Sequence, residues 1–305
     1  MHTTLENANR VVREHHEGNW DQTLPASAIR FQDFTTANLN GSDYVLQPQA
    51  QSLIARRLRV PAEYLHRCPA HLQETNLNHW LGSLEDTPLF LRMHDHEVRA
   101  VFTPRYRPID NVTIMARIME SFPGSTSVEM FISEKMLSIS IPDEESHFKI
   151  NGDMMVPGAS FSNSEIGIHA YRCAVFYQRL ACTNGLITAS KTDIAIRHIK
   201  QNALEDFASN MSLIRSSYRA HEQRMRLSIE SKVDCPYASI ASFCHTYGHT
   251  NNELRIVQEA WQVEPIATMW GIINGFTAAA KSREINHDQA AAFQRTGGSI
   301  LELLK

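Results

Sequence analysis

Residues Pro88–Phe102 read PLFLRMHDHEVRAVF, and the fold turns on how they pair. Leu89, Leu91 and Met93 alternate with Phe90, Arg92 and His94; after Asp95-His96, Val98, Ala100 and Phe102 alternate with Glu97, Arg99 and Val101. A period of two marks strands, and closing a hairpin at Asp95-His96 puts Leu89 opposite Phe102, Leu91 opposite Ala100 and Met93 opposite Val98 on one apolar face. The same register sets Arg92 opposite Arg99 on the other face. Like charges placed so cost up to about 1 kcal/mol, a cost that an anion between them removes.

Outward from this hairpin the pattern repeats. Asp110 or Asn111 caps a helix that buries Met115, Ile118, Met119 and Phe122 and ends at Pro123-Gly124. A second hairpin turns at Glu134-Lys135, pairing Val128 with Ile141, Met130 with Ile139 and Ile132 with Leu137. Met154–Thr188 adds two more strands, Tyr171–Leu180 the clearer, with Ser162–Glu165 between them. Upstream, Gln47–Arg59 and Ala62–Arg67 read as helices divided by Pro61. Downstream, Leu204, Phe207, Met211, Ile214, Tyr218, His221 and Met225 form a 3-4 seam along a long helix, and Met269–Lys281 is a last amphipathic helix.

The expected class is α+β: an antiparallel sheet of hairpins covered on one face by helices, its other face open to solvent or ligand, with a mainly helical C-terminal region. Its divisions are an opening helical segment (1–87), the antiparallel α+β core (88–200) and the helical C-terminal region (201–305).

Composition narrows the function. The 305 residues carry 29 Lys+Arg against 33 Asp+Glu, a net charge of −4, so a polyanion site must be local. No apolar run approaches the ~20 residues of a membrane span, and the first twenty residues lack the apolar middle of a signal peptide, so a cytoplasmic protein is expected. Five widely spaced cysteines without a CxxC pair suggest buried thiols rather than disulfides or zinc. Walker A, GxGxxG, HExxH and GxSxG patterns are absent from the sequence, and no cofactor or metal is expected.

Guanidinium and aromatic groups on a sheet face suit single-stranded nucleic acid, phosphates on Arg and bases on rings. The candidate binding residues are Arg92, Arg99, Arg105 and Arg107 with Phe90 and Tyr106, and a second basic stretch of Lys191, Arg197 and Lys200 that runs on into Arg215, Arg219, Arg224 and Arg226. Between Arg197 and Lys232, seven Lys/Arg face four Asp/Glu, a local balance of +3. The bland alternative is that Glu97, Glu129 or Asp110 neutralises the hairpin arginines as solvated surface pairs, and that i,i+4 pairs lace the helix surface. Cys182 before Asn184-Gly185 reads better as a buried strand end than as a nucleophile.

Several segments together resemble the phage/plasmid-like proteins grouped as domain-of-unknown-function 932: Val60-Pro61 to Tyr64-Leu65, Val98-Arg99-Ala100, Arg105-Tyr106-Arg107-Pro108-Ile109-Asp110-Asn111, Asn163-Ser164-Glu165-Ile166-Gly167, Cys182-Thr183-Asn184-Gly185-Leu186, and the helix from Trp270 to Thr277. The resemblance spans most of residues 45–300 and implies a mobile-element setting without catalytic residues to carry over. In that setting the expectation is a non-enzymatic, homo-oligomeric single-strand-binding accessory of recombination, in the manner of strand-annealing proteins. The alternatives are a host-factor-binding protein using the 204–225 seam, and a metal-dependent nuclease using Glu165, Asp110 and a histidine.

Overall fold

Short strands, not helices, open the chain in the computed structural model, which describes residues 1–84, 86–150, 152–179, 184–187, 194–200 and 204–304. β1 (His2–Thr4) runs into α1 (Leu5–His16), capped by the Thr4 hydroxyl, which accepts from the Asn7 N–H at 3.3 Å. β2 (Asn19–Pro25), β3 (Ile29–Phe31), β4 (Thr36–Leu39) and β5 (Ser42–Leu46) follow, then α2 (Pro48–Leu58), α3 (Ala62–Arg67) and α4 (Ala70–Gly82). The middle holds β6 (Pro88–His94), β7 (Glu97–Phe102), α5 (Asn111–Ser121), β8 (Ser127–Ile132), β9 (Leu137–Pro142), β10 (Phe148–Ile150), β11 (Asp153–Asn163), β12 (Tyr171–Arg179), β13 (Asn184–Ile187) and β14 (Ile194–Ile196). The remainder is helical: α6 (Phe207–Glu230), α7 (Pro236–Thr246), α8 (Asn251–Val263), α9 (Met269–Ala279) and α10 (His287–Glu302).

The class is α+β, as the periodicities require, but the strands divide between two sheets. One has the order β2-β6-β7-β5-β4-β3, and the other β1-β8-β9-β11-β12-β13, with β10 on β11 and β14 on β12. All pairings are antiparallel except the short contact of β5 with β7. The expected helical character of residues 1–87 therefore fails: β1 closes one sheet and β2–β5 belong to the other. Those strands are short, and β1 and β2 find their partners, β8 and β6, 123 to 127 and 63 to 75 positions away, which local periodicity does not report.

Each sheet has its own core. Leu89, Leu91, Met93, Val98 and Val101 pack with Ile54 and Leu58 of α2 and Leu77 and Leu81 of α4. Val128, Met130, Ile139, Ile141, Phe161, Val175 and Tyr177 pack with α1, α5 and the C-terminal helices. A small third cluster, Leu53, Ala100 and Ile166 with Phe102 against it, lies apart from both. The seam of α6 is confirmed and turns inward: Phe207, Met211, Ile214, His221 and Met225 are buried in the second core, so the seam offers no surface to a host factor. α9 is buried on nearly every side rather than along one stripe. Cys173 and Cys244 are buried, but Cys235 is exposed; Cys182 lies outside the described residues.

The second hairpin keeps the expected register, with Met130 opposite Ile139 and Ile132 opposite Leu137. The first does not. Met93 faces Val98 as expected, but a bulge follows, and Arg92 faces Ala100, Leu91 faces Val101 and Phe90 faces Phe102. Arg99 is the extra residue. The bulge lets Val98 and Val101 both reach the core, and it moves Ala100 and Phe102 off that core.

Candidate nucleic-acid interface

With Arg99 bulged out of the ladder, the two arginines do not confront each other on an open face. Arg92 is 2% exposed and Arg99 1%. Arg92 donates from Nε to Asp21 Oδ1 (3.1 Å), from Nη1 to the Glu165 carbonyl (3.2 Å) and from Nη2 to Asp110 Oδ1. Arg99 donates from Nε to Glu134 Oε1 (2.7 Å) and from Nη2 to Glu165 Oε2 (3.1 Å). Two guanidiniums thus meet four carboxylates, and neither is left to hold phosphate. Both are removed from the binding set, because burying a guanidinium requires close, hydrogen-bonded countercharges and these have been supplied from within.

The carboxylates come from four elements. Asp21 lies on β2, Asp110 at the N-cap position of α5, Glu134 in the β8–β9 turn and Glu165 in the β11–β12 loop. Asp110 does not cap its helix in the expected way, since its side chain turns to Arg92; the Asn111 N–H donates instead to Glu165 Oε1 at 2.8 Å. Asn163 ties the same corner, donating to the Ile109 carbonyl at 2.8 Å and to Asn111 Oδ1 at 2.9 Å. Burial alone would make Arg92 easier to deprotonate, but Asp110, Asp21 and Glu165 outweigh it and drive its pKa upward. Burial also raises the Asp21 carboxyl, against the pull of Arg92.

Tyr106 is the second correction. It is 7% exposed, and its hydroxyl donates to the Glu165 carbonyl at 2.8 Å and lies 3.1 Å from His198 Nδ1. Phe102 stacks on it at 3.8 Å and 2°, and His198 and Phe90 stack at 5.2 and 5.8 Å. Its ring has no face left for a base. Phe90 is half-buried in the same stack and is likewise spent on it. Burial raises the Tyr106 pKa, and burial together with the charge of Arg92 lowers His198 to about 4, so both groups are neutral near pH 7.

The remaining candidates lie outside. Arg105, Arg107, Arg197 and Lys200 are exposed, and two loops bring them together through the Arg107 N–H, which donates to the His198 carbonyl at 2.6 Å. Arg107 folds its guanidinium back onto the Pro104 carbonyl at 2.8 Å. Among the described residues Arg105, Arg107 and Arg197 have no carboxylate within ion-pair distance, while Lys200 has Asp206 at 3.6 Å. Lys191 lies outside the described residues. The extension into α6 is largely quenched: Arg224 pairs with Glu302 (2.9 Å), Arg226 with Glu222 (2.7 Å) and Arg215 with Asp143 (3.8 Å).

The nuclease trio does gather, with Glu165, Asp110 and His198 around Tyr106 and Arg92. Glu165 accepts at one carboxylate oxygen from the Asn111 N–H and at the other from Arg99, Asp110 accepts at Oδ1 from Arg92, and among the described residues no group of three or more His, Cys, Asp or Glu side chains is placed to hold a metal ion. Sequence reading missed the countercharges Asp21 and Glu134, whose signal would have been their pairing across 71 and 35 positions. Comparison with known proteins finds no matching family model, no matching curated protein and no matching solved structure.

Proposed function

We propose that the chain binds single-stranded nucleic acid, without catalysis, through phosphates held at Arg105, Arg107, Arg197 and Lys200. The observation that supports this is the contrast in pairing. Buried arginines such as Arg92, Arg99 and Arg179 are matched to carboxylates, whereas Arg105, Arg107 and Arg197, exposed on adjoining loops, have no carboxylate within ion-pair distance among the described residues. Unmatched guanidiniums beside one another raise the local potential of a molecule whose net charge is −4. Recruiting a strand's phosphates would relieve their mutual repulsion. A strand-annealing accessory of a mobile element, acting as a homo-oligomer, is the role in which backbone grip without chemistry suffices.

Three or four phosphate contacts imply a salt exponent of about 2–3, so anisotropy with a fluorescent oligonucleotide should show affinity falling about 20- to 50-fold between ~50 and ~200 mM salt. Replacing Arg105, Arg107 and Arg197 together by Ala should lower the exponent by about 2. No binding at the lower salt, or an exponent unchanged in the triple variant, overturns the proposal. Sedimentation with and without oligonucleotide tests the assembly.

A further inference from the structure

The face of the β9–β11 sheet turned away from its core carries an array of hydroxyls. Ser140 pairs with Ser160 and Ser138 with Ser162, giving two rows of serines about 4.8 Å apart across strands and about 6.8 Å apart along them. Strand interiors favour branched and aromatic side chains, and the opposite face of the same strands, with Ile139, Ile141 and Phe161, obeys that preference. The serines need another account. Phe131 stands beside Ser138 and Glu129 beside Ser140 in the register, with Phe176 on the adjoining β12.

α10 lies across this floor. His287, Ala291 and Gln294, on one face of the helix, close a cavity of about 120 Å³ over Phe131, Ser138, Ser140 and Phe176. The His287 ring stacks on Phe131 at 3.8 Å and 12°, fixing the roof. The expected open sheet face is therefore partly covered. Its polar groups are unspent: Ser140 makes only a long 3.4 Å contact to Ser160, and Ser138, Gln294 and the buried His287 Nε2 have no hydrogen-bond partner among the described residues. Burial holds His287 below its ordinary pKa, so the ring is uncharged near neutrality.

A cavity of this size exceeds one water several-fold and approaches the ~150 Å³ that accommodates a single six-membered ring. Aromatic walls suit a planar ring, hydroxyl and amide groups suit a polar one, and the rim carries both the exposed Glu129 carboxylate and the Met1 amino group, which donates to the Met130 carbonyl at 2.7 Å, so an uncharged ring suits it better than an ion. We propose that this cavity is a site for one neutral pyrimidine base, with Ser138 and Gln294 reading its edge. A second fused ring does not fit. The base could arrive as a free nucleoside or from a bound strand; only the second source rests on the nucleic-acid reading.

Ligand-observed NMR and calorimetry with uridine, cytidine and adenosine test the site. Saturable binding of a pyrimidine nucleoside at or below about 1 mM is expected, with adenosine at least about tenfold weaker. Ser140→Leu, which fills the cavity, should abolish binding, and Ser138→Ala, which disturbs packing least, should weaken it about fivefold with an unchanged melting temperature. Absence of binding by either pyrimidine at about 10 mM, equal binding of adenosine, or full binding by Ser138→Ala overturns the site. Oligo(dT) against oligo(dA) separates the sources. Loss of the dT preference in Ser138→Ala with the salt exponent intact marks a strand-borne base, and nucleoside binding without oligonucleotide binding keeps the site while rejecting the nucleic-acid reading.

Discussion

Arg99 and Glu165 are 1% and 3% exposed, and each is the other's countercharge at 3.1 Å. Removing one partner of such a pair leaves an uncompensated charge in the interior, so Arg99→Ala and Glu165→Ala should each cost about 3–5 kcal/mol in urea denaturation. The double change should cost clearly less than the sum, because neither orphan then remains. An Arg99→Ala protein of unaltered stability would contradict the buried network. His198 offers a titration on the same corner. Its folded pKa of about 4 lies below the ~6.5 of an unfolded histidine, so the unfolded chain takes up the proton first. Its stabilising effect is full above pH ~6.5, declines as pH falls toward 4 and levels off below, a loss of at most about 3 kcal/mol. His198→Phe, which keeps a ring beside Tyr106, should flatten that part of the stability profile. An identical slope in the variant would exclude His198 as its source.

At the scale of elements, the β11–β12 loop is shaped by a glycine. Gly167 has φ +76°, and a Cβ there would lie 2.7 Å from the Phe102 ring, the same ring that stacks on Tyr106. Gly167→Ala combines left-handed strain with a clash and should lower the thermal midpoint through a loss of about 1–3 kcal/mol, whereas Gly41→Ala, also at positive φ but with open space around it, should lose less. The contrast between the hairpins shows what the sequence discloses. Residues 128–141 pair in the expected register because alternation is unbroken and both faces agree. In residues 89–102 apolar residues occupy both parities of the second strand, so an unbulged and a bulged ladder fit equally well, and only the carboxylates contributed by distant segments select the second. α2, α3 and the α6 seam were legible because their spacing is local. β1, β2 and the roof formed by α10 depend on partners far along the chain, and so does every countercharge of Arg92 and Arg99 except Asp110; β3, β4 and β5 pair with one another close by but are only 3, 4 and 5 residues long, too short for alternation to declare them.

At the scale of the molecule, two cores meet across a junction made largely of charge, with Leu53, Ala100 and Ile166 as its apolar part. Trp20 and Trp80 report on one side, and Trp261 and Trp270 on the other. Their fluorescence should follow one denaturation curve at pH 7, when the carboxylates bind both arginines. In Arg92→Ala, which removes the guanidinium shared by Asp21, Asp110 and the Glu165 carbonyl, the two pairs should separate, with Trp-to-Phe variants isolating each. Coincident curves in Arg92→Ala as well would show that the small apolar cluster suffices to couple the halves. Among the described residues no helix is long and apolar enough to cross a membrane.

The pairing of β1 with β8 has a temporal side. His2 sits opposite Glu129, so 127 positions separate the partners, and the entire β2–β7 sheet is laid down between them. At about 5–20 residues per second, the first strand waits roughly 6–25 s on the ribosome before its neighbour emerges. The intervening sheet has all its strands by then, while residues 2–16 wait without a sheet partner until the hairpin that completes them arrives.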